Sequence, residues 1–158
     1  MKIIAFDQST ICSGWSEWID GKLIDHGTFS IVNHKKYNSA ERIEKTYLFA
    51  KELIVSQKPD FVMMEQPFYG MNLQGYKTSS QLTGALMSIM FDMGVAFELI
   101  EPSSWRKMVG ITAGKKKQAE LKQMAIDLVH RLYGVECGAD EAEAILIGSA
   151  TCKILKKE

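Results

Sequence analysis

The sequence predicts an α/β domain with a central mixed five-stranded sheet flanked by helices. Three observations predict it. Two short apolar runs, Ile3–Phe6 and Phe61–Met64, read as buried strands. An Asp20-Gly21 pair separates two partly alternating segments, the pattern of an antiparallel hairpin. Longer stretches between and after these carry apolar residues at helical spacing, giving the order βββ-α-β-α-β-α-α.

The first strand, Ile3–Phe6, runs straight into Asp7. Gly14–Ile19 is the second, and Leu23–Ile31 returns after the Asp20-Gly21 turn. The polar stretch Asn33–Asn38 is a loop. Ser39–Ser56 is a helix with apolar Ile43, Tyr47, Leu48, Ile54 and Val55, and Lys58-Pro59-Asp60 punctuates it. The strand Phe61–Met64 stops at Glu65, and Pro67 leaves Gln66–Gly70 as loop. Thr78–Met93 is a helix rich in Met and Leu, with small residues at Gly84, Ala85 and Ser88. The strand Val95–Ile100 leads to a short helix opened by Glu101-Pro102 and running to about Met108. After the loop Gly110–Gly114 come two helices, Lys116–Tyr133 and Asp140–Leu155.

A length of 158 residues fits one domain spanning 1–158. Such a domain buries roughly 70% of its unfolded surface and needs no covalent staple. Lys+Arg and Asp+Glu are 19 each, so net charge offers no global argument for a nucleic-acid partner, and any electrostatic footprint must be local. Cys12, Cys137 and Cys152 form no CxxC pair and no metal-ligand spacing, which fits a reducing compartment. The apolar run before Asp7 is too short for a signal peptide. Leu82–Phe97 is broken by Asp92 and Gly94 and is shorter than the roughly 20 residues of a membrane span. The expectation is a cytoplasmic protein with no membrane partner.

Asp7 and Glu65 share a peculiarity. Each ends a short apolar strand and precedes a polar loop. If those strands are neighbours, both carboxylates lie at the strand-end edge where open α/β sheets bind ligands. Close carboxylates repel unless something neutralises them, and a divalent cation does so directly. An all-oxygen donor set favours Mg²⁺, with Mn²⁺ able to substitute. Each acid alone reads equally well as a strand-end cap. The segment GADEAEAILIG, residues 138–148, adds Asp140 and Glu143, three apart on one face of an apolar helix, with Glu141 pointing elsewhere. Alone it reads as an acidic helix start with a capping-box-like pattern. Together, Asp7, Glu65, Asp140 and Glu143 make a four-carboxylate set. A two-metal phosphodiester site needs such a set, with cations about 4 Å apart at the attacking and leaving oxygens.

Arg106, Lys107, Lys115, Lys116 and Lys117 form a local basic stretch suited to backbone phosphates. The alternative is a solvated helix start, although lysines are mildly unfavourable at a helix N-terminus. Phe68 and Tyr69 follow a candidate ligand in a loop. Aromatic rings there stack on unpaired bases for ~1–3 kcal/mol each, or fold back onto the core. Trp15, Trp18 and Trp105 read as core or sheet surface, and Cys12 as a buried small hydrophobe. His26, His34 and His130 show no catalytic spacing and are assigned no role.

The segments IIAFDQST, FVMMEQPF, PSSWRKMVG with the following GKKKQ, and ADEAEAILIG together resemble the RuvC-type Holliday junction resolvases, of ribonuclease H-like fold. They occur in that family's order and spacing along nearly the whole chain. The small size and divergent loops resemble its bacteriophage members more than its bacterial housekeeping ones. The resemblance implies a Mg²⁺-dependent homodimer that nicks two strands of like polarity at a four-way DNA junction. It implies that Asp7 bridges the metals, that Glu65, Asp140 and Glu143 complete the site, and that Phe68 meets junction bases. One of Lys115, Lys116 and Lys117 would correspond to a catalytic-support lysine. Gln8-Ser9-Thr10 stands where bacterial members carry a glycine-rich turn, and Glu143 where Asp or His is common.

For a dimer, Thr78–Met93 is the expected interface helix. Leu82, Leu86, Met87, Ile89, Met90 and Phe91 exceed what one buried face needs. Three other functions compete. FDQST also resembles the first phosphate motif of actin-like sugar kinases, which need two such domains and a hinge. A related nuclease acting on flaps, forks or RNA would carry the same carboxylates. A non-catalytic DNA-binding module would have lost a ligand, whereas all four are present.

Overall fold

Asp20 and Gly21 both have positive φ, 50° and 80°, the geometry of a two-residue hairpin turn whose twist matches its strands. The turn joins β2 (Cys12–Ile19) to β3 (Lys22–Ser30) in a computed structural model that describes residues 1–70 and 72–156. The remaining strands are β1 (Lys2–Asp7), β4 (Phe61–Glu65) and β5 (Ala96–Ile100). They form one five-stranded sheet in the order β3-β2-β1-β4-β5. β1 pairs antiparallel with β2 and parallel with β4, and β4 pairs parallel with β5. The sheet is mixed, as the sequence predicts.

The helices are α1 (Ser39–Gln57), α2 (Leu73–Met93), α3 (Pro102–Val109), α4 (Gln118–Tyr133) and α5 (Ala139–Leu155). A reciprocal capping box starts α1. Asn38 Oδ1 accepts from the Glu41 amide at 2.9 Å, and Glu41 Oε2 accepts from the Asn38 amide at 2.7 Å. α2 begins at Leu73 rather than Thr78, because Asn72 caps it by accepting from the Gly75 amide at 3.0 Å. α4 begins at Gln118 rather than Lys116, so Lys115, Lys116 and Lys117 precede the helix. No described helix is long and apolar enough to cross a membrane.

Side chains alternate across the sheet with period two. Ile3, Ala5, Phe61 and Met63 pack with α3, α4 and α5. Ile4, Phe6, Val62 and Met64 pack with α1 and α2. Burial on both faces explains why the β1 and β4 sequences are continuously apolar rather than alternating. In α2, Leu82, Leu86, Ile89 and Met90 are all consumed by this second core. That corrects the expectation that Leu86 faces a partner. Phe91 is 67% exposed.

α5 is buried from Ala142 to Cys152 and lies along β2. Three contacts fix it there. The Asp140 carbonyl sits where a Cβ on Gly14 would be. Ser16 Oγ donates to the Ala144 carbonyl at 2.8 Å. Gly148 accommodates the Trp18 indole, which in turn donates to Ser16 Oγ at 3.0 Å. Two strand residues advance about 6.8 Å and four helix residues about 6 Å. Steps of two along β2 therefore stay in register with steps of four along α5.

Candidate active site

The alternation that sends Ala5 toward α5 sends Asp7 there too, and Met63 likewise predicts the side of Glu65. Phe6 is in register with Met64, so Asp7 and Glu65 lie side by side one step beyond, at the same sheet edge. Gly14 is the residue opposite Asp7 in β2. Because it lacks a Cβ, the first turn of α5 reaches the strand and carries Asp140 and Glu143 over Asp7. Carboxylate oxygens of Asp7, Asp140 and Glu143 come within 4.8 Å of one another. Glu65 stands outside that tight group at the neighbouring strand end.

Three of the four acids, Glu65, Glu143 and Asp140, each have a partner. Trp105 Nε1 donates to Glu65 Oε1 at 2.7 Å. Arg106 Nη2 donates to Glu143 Oε1 at 3.1 Å. Lys122 Nζ lies 3.5 Å from Asp140 Oδ1. Gln8 ties the two strand ends together. Its Nε2 donates to the Glu65 carbonyl at 2.6 Å and to Thr83 Oγ1 at 3.0 Å, while its Oε1 accepts from the Glu65 amide at 3.2 Å. Glu141, on another face of α5, pairs with His26 Nδ1 at 2.6 Å and so anchors that first turn to β3. His26 therefore has a structural partner that its sequence spacing does not reveal.

The electrostatics record an excess of negative charge. Burial pushes Asp7 well above the ordinary carboxylate range, and Glu65, Glu143 and Asp140 push it further. Burial also raises Glu65, to about 7, opposed by the Trp105 hydrogen bond, raised by Glu143 and lowered by Arg106 and Lys122. Hard oxygen donors, uncompensated anionic charge and an edge position fit a divalent cation.

The expected DNA-facing residues separate into two groups. Phe68 is 73% exposed in the loop after Glu65, and its neighbour Tyr69 packs edge-on against Tyr76. Lys107, Lys115, Lys116 and Lys117 are exposed, with Lys116 Nζ donating to the Thr112 carbonyl at 2.9 Å. Arg106 differs from its expected surface position. It is 9% exposed, packs its guanidinium beside the Trp105 ring and serves Glu143. On the short helix α3, Trp105 and Arg106 both turn inward and Lys107 turns out. Gln8, Gly14, Trp105 and Lys122 are site residues that sequence reasoning missed. An aromatic beside a cation in PSSWRK was the only local signal for any of them. Cys12, expected to be buried, is half-buried and accepts from Ser30 Oγ at 3.1 Å.

No family model matches the chain. Curated relatives do. A crossover junction endodeoxyribonuclease RuvC of Orientia tsutsugamushi is 28% identical over 149 residues, covering 92% of this chain and 91% of the relative. The protein of that name from Chlorobium phaeovibrioides is 30% identical over 123 residues, covering 78% of this chain and 63% of its own. Among solved structures, Thermus thermophilus RuvC in complex with a Holliday junction substrate superposes with a TM-score of 0.79 at 14% identity, over 99% of this chain and 96% of that one. The yeast mitochondrial Holliday junction resolvase Ydc2 superposes with a TM-score of 0.60, over 96% and 77%. The fold is that of the ribonuclease H-like class. Within that class, the chain belongs to the RuvC-type family.

Proposed function

We propose that the chain, as a single nuclease domain, nicks branched DNA such as four-way junctions by metal-dependent phosphodiester hydrolysis. The observation that carries this reading is the convergence of Asp7, Asp140 and Glu143 within 4.8 Å, at the strand-end edge of a RuvC-type fold. Asp7, Glu65, Asp140 and Glu143 would hold the cations, and the family resemblance gives Asp7 the shared position. Mg²⁺ is the proposed ion and Mn²⁺ its substitute, because every donor is a carboxylate oxygen. When bound, divalent cations polarise the scissile phosphate and lower the pKa of the attacking water.

The chain's own groups set up that chemistry. Trp105 keeps Glu65 oriented and favours its ionised form. Arg106 holds Glu143 from inside the core. Lys107, Lys115, Lys116 and Lys117 would neutralise backbone phosphates, and exposed Phe68 would stack on an unpaired base.

A four-way junction offers two symmetric cleavage sites, and a homodimer presents two matching active sites. The outer face of α2 would form the contact, with Lys77, Gln81, Gly84, Ser88 and Phe91 recurring at helical spacing. The cytoplasm is the proposed compartment. The test is incubation with labelled four-way, three-way and duplex DNA, with Mg²⁺ or with EDTA. Paired Mg²⁺-dependent nicks in the four-way substrate are expected. Preference for flaps, forks or RNA would redirect the substrate, and binding without cleavage would overturn the catalytic reading.

A further inference from the structure

Among the described residues two cations face the carboxylate cluster, and they are built differently. Arg106 is buried, hydrogen-bonded to Glu143 and wedged beside Trp105, so it has no freedom to leave. Lys122 reaches Asp140 from α4. Its side chain is 40% exposed, that of its partner Asp140 is 32% exposed, and their separation of 3.5 Å is looser than a good charge-assisted hydrogen bond. A compact ammonium on a flexible four-carbon stem can occupy such a position and also vacate it.

We propose that Lys122 is an internal counter-cation of the metal site, neutralising the carboxylates when no divalent ion is bound and competing with that ion for Asp140. This rests on the metal-centre reading above. Two opposed effects follow from one charge. Without metal, the ammonium relieves repulsion among Asp7, Asp140 and Glu143 and stabilises the fold. With metal, the same ammonium is a like charge beside the incoming cation and must withdraw from Asp140.

The experiment compares wild type, Lys122→Met and Lys122→Arg, each as the full chain, by calorimetric Mn²⁺ titration and by thermal melting with EDTA or saturating Mn²⁺. Lys122→Met keeps the apolar stem and removes the charge. It should bind Mn²⁺ about two- to five-fold more tightly, the range expected for a part-exposed ion pair. It should melt lower than wild type in EDTA, and the difference should close in Mn²⁺. Lys122→Arg keeps the charge and should follow wild type in both. A lysine that merely packs α4 against α5 would lower stability in both conditions and would not tighten metal binding. Unchanged or weaker Mn²⁺ affinity in Lys122→Met, beside a wild type that binds, overturns the counter-cation alone. A wild type that takes up no Mn²⁺, or an Asp7→Asn variant that takes up as much, overturns the metal-centre reading as well.

Discussion

The Asp140 carbonyl occupies the space that a side chain on Gly14 would need. The height of α5 over β2, and hence the spacing between Asp140 and Asp7, is set by backbone against backbone. Gly14→Ala should push the first turn of α5 outward. The expected result is a folded protein destabilised by ~1–3 kcal/mol, as for overpacking elsewhere, with a disproportionate loss of Mn²⁺ affinity. Thermal melting beside calorimetry checks both, and metal affinity equal to wild type would contradict the spacing argument.

Stability without divalent cations should fall as pH rises. Glu65 is raised from 4.5 to about 7 in the folded state, and Asp7 is raised as well. Between these values the folded chain retains protons that the unfolded chain has lost. The stabilising contribution is therefore complete below about pH 4.5 and is lost as pH climbs through 7. Glu65→Gln should flatten that slope, and Mg²⁺ should offset it in wild type. Urea midpoints in EDTA across this range give the reading, and a midpoint that rises with pH there would show the sign to be wrong.

Trp105→Phe removes a hydrogen-bond donor that favours the ionised form of Glu65. A hydrogen bond to a charged group is worth about 1.5–3 kcal/mol. The acidic limb of the nicking pH profile should therefore move up by about 1 unit or more. A profile that falls in height without moving would reduce Trp105 to packing.

Leu86 and Phe91 separate folding from association. Leu86 is 1% exposed, so Leu86→Arg should cost ~3 kcal/mol or more and unfold the chain rather than split a dimer. Phe91 is 67% exposed, so Phe91→Glu should leave the melting curve nearly unchanged and convert a dimer to a 17.8 kDa monomer. Sedimentation at micromolar concentration checks this, and a dimer that survives Phe91→Glu would move the contact off this face of α2.

Replacing Lys115, Lys116 and Lys117 together by Ala should weaken DNA binding and reduce its salt dependence, by a slope of up to ~0.9 per lost phosphate contact. An unchanged slope would return these lysines to the role of solvated loop residues.

The carboxylates and the sheet were legible because their signals are local. An apolar run ending in an acid marks a strand end, and Asp140 and Glu143 at a spacing of three share a helix face wherever the helix goes. The supporting contacts were not legible, because each joins residues far apart in the chain. Nothing near Gly14 announces the Asp140 carbonyl, and nothing near Lys122 announces the same residue's carboxylate. Arg106 was misplaced for a different reason. α3 has too few residues for periodicity to fix its phase, and a cation next to Lys107 is ordinarily solvated. Asn72 was passed over because the first turn of α2 carries no apolar stripe.

The carboxylates of the proposed metal site come from distant parts of the chain. Asp7 lies on the first strand and Asp140 and Glu143 on the last helix, which is itself wrapped by core from Ala142 to Cys152. Translation runs from the first residue onward, so a ribosome must pass position 143 before any chain holds the whole set. A nascent or prematurely stopped product therefore holds Asp7 and Glu65 but not the two carboxylates of the last helix. The proposed metal site is therefore completed in one step, when the last helix docks against β2.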